Sequence, residues 1–222
     1  MNLFKIIPLF LALSFTTLHC TESEMPVLLL QTFGTNKHPG RTVAGDSTER
    51  SISLQLAEQI STQLTQNDTP VEVFIVNPAG QKKKDPLAVL NNINQINKAI
   101  VIQLTASSSK EVKPSCHLFF RCYNPLTDQI KRPLAPLTPV PLEDVYLLNF
   151  GQSKVLANTF ATELRTHAEQ FLDTKDPVGI PLANLRGIRH PVIQIEVALN
   201  KNSQLVQIGN SIALGLKKLL PS

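Results

Sequence analysis

Few side chains in this chain of 222 residues can do chemistry. Its three cysteines are Cys20, Cys116 and Cys122, and its five histidines are His19, His38, His117, His167 and His190. None of them falls into a CxxC or Cys/His zinc spacing, so a cysteine-based metal site is not indicated. There is no Gly-rich phosphate loop, no GxSxG turn and no HExxH helix. In an oxidising compartment Cys116 and Cys122 invite a disulfide. A single extended strand from Cys116 to Cys122 would hold them about 20 Å apart at roughly 3.3 Å per residue, whereas a bond needs Cα atoms within about 7 Å. Either the segment doubles back and the bond forms, or it is a strand and the thiols stay apart. Two carboxylates also stand out. Glu49 lies three residues after Asp46, which it can pair with in a capping box. Glu196 alternates with Gln194 opposite Ile193, Ile195 and Val197, as on a half-exposed strand.

The elements that must position these groups are legible from periodicity. Val27 to Leu30 is an apolar run fit for a strand buried on both faces. After a turn-rich stretch from Thr32 to Gly45, Asp46 is placed to cap a helix whose stripe is Ile52, Leu56, Ile60 and Leu64. Val71 to Val76 predicts a strand. Asp85-Pro86 then opens a helix with Leu90, Ile93 and Ile96 on its buried side. Strands follow at Ala99 to Leu104, Leu118 to Cys122 and Val145 to Asn149. A helix from about Ser153 to Gln170 carries Leu156, Phe160, Leu164 and Ala168 on one face. Val192 to Val197 is the last strand. The closing helix bears Leu205, Ile208, Ile212, Leu216 and Leu219, with Lys217 and Lys218 at its negative end. Strands separated by helices predict an α/β layered sandwich around one mostly parallel sheet flanked by helices. Five prolines between Pro125 and Pro141 predict an extended surface loop, which is also a candidate docking segment.

Composition narrows the classes. Hydrophobic residues are 42% and charged residues 17%, which excludes wholesale disorder. Lys+Arg 21 against Asp+Glu 17 leaves +4, with the basic residues scattered apart from Lys82-Lys83-Lys84 and no aromatics interleaved there. Nucleic acid is therefore not an expected partner.

Met1 to Cys20 has one Lys, then an apolar stretch from Ile6 to Leu13, then small and polar residues. About ten apolar residues are too few to span a bilayer of roughly 30 Å but suit a secretory leader. Residues 1–20 are thus expected to be a signal peptide, 21–25 a tether, and 26–220 one folded domain. The expected location is the periplasm or outer membrane, within the cell envelope. Cys20 stands where a bacterial lipoprotein carries its lipid, although Thr17 and His19 occupy places where such a signal usually has Leu and a small residue. Acylation at Cys20 and ordinary cleavage nearby both remain open, and membrane contact is expected only through such an anchor.

From about Pro26 to Leu220, the order of segments resembles the zinc-dependent N-acetylmuramoyl-L-alanine amidases that trim peptidoglycan. In that family an apolar strand leads into a DPGHGG-like loop; here Val27 to Leu30 leads into Gln31-Thr32-Phe33-Gly34-Thr35-Asn36-Lys37-His38-Pro39-Gly40. A helix opening similar to Glu-Lys-Asp-Val is Glu49-Arg50-Ser51-Ile52, and a strand similar to FISIHAN is Val101-Ile102-Gln103-Leu104-Thr105-Ala106-Ser107. A serine-led helix at Ser153, a loop Ala183-Asn184-Leu185-Arg186-Gly187 and a strand Pro191 to Glu196 leading on to Asn202 continue in the same order.

The resemblance implies a zinc held by His, Glu and His, with a Glu on the last strand as general base. This chain has Gly34 and Thr105 at the two imidazole places and keeps Glu49, as a vestigial metal ligand, and Glu196, as the catalytic carboxylate. A catalytic zinc takes three protein ligands and a water, whose pKa it lowers from about 15.7 to about 7. With one carboxylate left, no cofactor is expected. The expected protein is a pseudoenzyme, an amidase-like module that binds peptidoglycan or an envelope protein without hydrolysing it. The alternatives are an active peptidoglycan amidase with a rearranged zinc site recruiting His38, and a structural envelope lipoprotein. Mass spectrometry of the mature N-terminus is expected to find residue 20 or a near neighbour first, and a diacylglycerol mass on Cys20 decides for the anchor.

Overall fold

The computed structural model describes residues 25–220 apart from 36, 77–84, 123–143 and 183–184. The segment expected to be a signal peptide, with Cys20, most of the expected tether, the lysine run and the proline-rich segment lie outside the described residues. Strand β1, Val27–Thr32, is buried along nearly its whole length. Helix α1, Glu49–Gln66, presents Ile52, Leu56, Ile60 and Leu64 to the core, the stripe that the sequence predicts. Its cap is a correction. Thr48, not Asp46, accepts the Ser51 N–H, so Glu49 is the first residue of the helix and not the partner in a capping box with Asp46. The reason is local: Thr42 bridges Thr48 and the Val43 N–H reaches Ser47 O, which leaves Asp46 at the exposed tip of that small loop.

Strand β2 is Glu72–Val76 and helix α2 is Pro86–Gln95, capped by the Asp85 carboxylate on the Leu87 N–H. Strand β3, Ala99–Ser108, and strand β4, Ser115–Arg121, both run longer than periodicity alone indicates. Val145–Leu148 is a 3-10 helix, not the predicted strand. The edge of β4 is already taken by two very short strands, β5, Asp173–Thr174, and β6, Val178–Ile180. Helix α3 is Phe150–Ala168, strand β7 is Val192–Leu199 and helix α4 is Leu205–Leu219.

The sheet runs in the order β2-β1-β3-β7-β4-β5, with β6 also on β4. β2, β1, β3 and β7 are parallel to one another, and β4 is antiparallel to β7. Helices cover both faces. Residues of α1, α3 and α4 close over Leu28, Leu30, Ile102, Leu104, Ile193, Ile195 and Val197. On the other face α2, with Leu182, Leu185 and Ile188, packs on Val27, Leu29, Val101 and Val192. This is the mixed α/β sandwich read from the sequence. Among the described residues no helix is long and apolar enough to cross a membrane.

Because β1 lies between β2 and β3, the connections leave it in opposite directions, and such a switch point opens a crevice beyond the carboxyl ends of the strands. The fold therefore directs attention to the ends of β1, β3 and β7 and to the start of α1. On the face covered by α1, α3 and α4, Phe160 is fully buried with its ring against Gly215 of α4. Phe160→Ala is expected to cost about 3–5 kcal/mol, read as a lower urea midpoint at unchanged slope.

Candidate functional site

Glu49 reaches the carboxyl end of the sheet because α1 starts there. Its carboxylate is buried, and it accepts backbone N–H groups of Ala106 on β3 and of Arg41 in the loop before the helix. The loop is folded to permit this. The Glu49 N–H donates to Arg41 O, the Arg50 N–H to Pro39 O, and the Arg50 guanidinium to Gly34 O at 3.0 Å. Asn202, just past β7, ties the same loop down through Ser47 Oγ at 2.6 Å. Gly40 has φ +85, and a Cβ there would lie 2.7 Å from Glu49 Oε2, so the backbone approaches the carboxylate more closely than any side chain would allow.

Burial pushes Glu49 above the usual carboxylate range. Arg41 and the two backbone donors work against this, and the charge of Glu196 adds to it. Arg41 is largely exposed and stands 3.9 Å from Glu49 Oε2, so its offset is small. Glu49 and Glu196, far apart in sequence, thus lie near enough for the charge of one to be felt at the other.

Glu196 is not on a half-exposed strand. β7 is buried on both faces, and Glu196 is its one residue of intermediate exposure. In the sheet it sits between Thr105 on β3 and His117 on β4. A second polar row lies one step below: Gln31 pairs with Gln103, and Gln103 with Gln194. Thr105 Oγ1 donates to Ile195 O at 3.4 Å and accepts from Gln194 Nε2 at 3.3 Å. The sequence reading did not foresee the pairing of His117 with Glu196 or this glutamine row. The signal was available: parallel strands buried on both faces read as continuous apolar runs, and Gln31, Gln103 and Gln194 each interrupt one.

The remaining candidates lie elsewhere. His38 is exposed in a tight turn, exchanging backbone hydrogen bonds with Thr35. His167 pairs with Glu163 on α3 at 3.4 Å, and His190 Nε2 contacts Ile93 O at 2.9 Å. His117 Nε2 lies 3.0 Å from Ser115 Oγ. Cys116 lies within β4 and Cys122 just after it, the two form no bond to each other, and burial pushes the Cys116 thiol up to about 12.

No family model matches the chain, and no curated protein matches it. Solved structures do. The N-acetylmuramoyl-L-alanine amidase AmiC2 of Nostoc punctiforme superposes with a TM-score of 0.59 at 12% identity, covering 87% of this chain and 94% of that one. The catalytic domain of CwlV, an N-acetylmuramoyl-L-alanine amidase from Paenibacillus polymyxa, gives 0.59 at 14%, covering 88% and 98%. The CwlD amidase of Clostridioides difficile, solved in complex with the GerS lipoprotein, gives 0.58 at 13%, covering 87% and 97%.

The chain has the fold of these amidases.

Whether the amidase-like site suits zinc is a question of donor chemistry. Gly34 has φ +73, and a Cβ there would lie 2.7 Å from the backbone oxygen of His38, so the loop as folded excludes an imidazole at that position. Thr105 turns its hydroxyl into the hydrogen bonds with β7. Among the described residues no group of three or more His, Cys, Asp or Glu converges. With the His117 ring held at Ser115 Oγ, the side chains left are two carboxylates, a hydroxyl and amides, an all-oxygen set that does not fit zinc.

The raised Glu49 has a consequence for stability. A carboxyl whose folded pKa exceeds its unfolded value of 4.5 is fully compatible with folding below that value and costs stability as pH rises through the folded pKa. Glu49→Gln removes the titration. Its urea midpoint, taken relative to the parent, is expected to be higher at about pH 8 than at about pH 4; a difference independent of pH contradicts the assignment.

Proposed function

We propose that this protein is an exported, amidase-like module of the cell envelope that binds peptidoglycan or an envelope protein without hydrolysing it. One observation carries the reading: the fold is that of the amidases, with Glu49 at the start of α1 and Glu196 on β7, while Gly34 and Thr105 stand at the two places the resemblance gives to imidazole. Without a metal to acidify it, a water in front of Glu196 keeps a pKa near 15.7, and a carboxylate is far too weak a base to activate it. What the surface retains is polarity and shape at the carboxyl ends of the strands. The similarity to CwlD, solved with a lipoprotein bound, supports keeping an envelope protein among the partners. The location of the chain in the envelope, and a lipid on Cys20, belong to the same proposal.

A second reading is an active peptidoglycan amidase with a rearranged zinc site. It is favoured by His117, an imidazole directly opposite Glu196 in the β4–β7 ladder. To serve, the ring would have to leave Ser115 and swing toward the carboxylates.

The two readings separate in one experiment on the purified protein: retention on isolated sacculi, zinc content, and release of stem peptide. Retention without stoichiometric zinc or release is the expected outcome. Stoichiometric zinc with release that His117→Ala abolishes establishes the enzyme, and retention no greater than that of an unrelated exported protein removes the wall as ligand.

A further inference from the structure

Among the described residues the sheet ends at β2, which pairs with β1 on one side and with no strand on the other. The phase of that pairing is fixed at both ends. The Glu72 N–H donates to Pro26 O, and Val76 O accepts the Thr32 hydroxyl, so residues 72, 74 and 76 turn their backbone groups toward β1. Backbone groups of successive strand residues point in opposite directions, so Val73 and Ile75 each turn an N–H and a C=O outward. Natural edges carry lysine, proline or a bulge that discourages further pairing. From Val73 to Val76 this edge has neither lysine nor proline, and Phe74 at the middle of the strand is 44% exposed. Register sets Phe74 beside Leu29, on the face covered by α2, while Val73 and Ile75 pack against the core on the α1 face.

We propose that β2 pairs with β2 of a second copy of this chain, antiparallel about a two-fold axis at Phe74. In this register Val73 of each copy faces Ile75 of the other, so the outward residues exchange their N–H and C=O groups in both directions. Phe74 then lies opposite itself as a non-hydrogen-bonded pair, where side chains come closest. Glu72 falls opposite Val76, so no like charges meet across the axis. Moving the axis to Val73 loses the match: Ile75 would face Val71, whose N–H already goes to Thr69 O at 2.7 Å, and Phe74 would face Glu72. It is this fit of the edge to itself, in backbone groups, apolar side chains and charge, that selects a second copy over an unrelated extended peptide. A ladder of 5 residues a side is small beside the about 1,200 Å² that a stable interface buries, so the dimer is reversible and concentration-dependent.

The test is sedimentation velocity of the purified protein over a wide range of concentration, where a dimer whose share grows with concentration is expected. Phe74→Lys and Phe74→Glu, which set like charges opposite each other, are each expected to weaken the association about tenfold or more. An equal mixture of the two should restore it, because lysine then meets glutamate across the axis. Ile75→Pro removes an outward N–H without removing a bond to β1, and should weaken the association similarly. Unchanged thermal melting shows that the fold is intact, and if the proline variant melts lower, the charged pair alone decides. A parent that stays monomeric throughout overturns the proposal and leaves the edge to some other extended chain. Association undiminished in Phe74→Lys puts the contact on another surface and overturns it as well, as does a mixture that associates no better than its components. None of these outcomes bears on retention by sacculi, so this claim and the one above stand or fall separately.

Discussion

A carboxylate taken out of water and set beside a second carboxylate is an unfavourable arrangement, and the segment before α1 is built to hold Glu49 in it. Three features share the task. The bridge between Thr42 and Thr48 closes the loop so that the helix begins at Glu49. Gly40 clears room against the carboxylate, and the N–H groups of Ala106 and Arg41 replace lost water. The start of a helix adds a favourable field for a negative charge. Asn202 fastens the loop to the segment after β7, which ties the loop before Glu49 to the end of the strand that carries Glu196. The rest of the site takes its position from this anchor.

The fold was largely written in period and composition. Apolar runs at Val27 and Val192 and four-residue spacing in α1 and α4 have few other readings, because a strand covered on both faces has no polar alternation to show. What escaped was set by tertiary context. Strands of two and three residues at Asp173 and Val178 carry no periodicity, and once they occupy the edge of β4, Val145–Leu148 has no ladder to join and coils instead. The cap moved from Asp46 to Thr48 because the loop's own hydrogen bonds, and not the preference of Asp, decide where the chain turns in.

The site was half legible. Glu49 and Glu196 could be singled out from segment order, but their meeting depends on β3 and β7 being neighbours, a fact of topology that no local spacing encodes. His117 is the clearest case: in sequence it is remote from Glu196, and only the antiparallel pairing of β4 with β7 brings them opposite each other. The glutamine row was visible as three isolated interruptions and became a row only through register.

The turn at Gly34 limits what its position can carry. With φ +73 and the carbonyl of His38 pressed against the missing Cβ, the loop has settled into a shape that accepts no side chain there. A histidine introduced there would be strained on its own backbone and would collide with the peptide four residues on. An imidazole at this position would demand a different backbone path where the carbonyl of His38 now lies. The bend sets a backbone condition before any question of chemistry arises: what residue 34 offers to this end of the sheet is main chain alone.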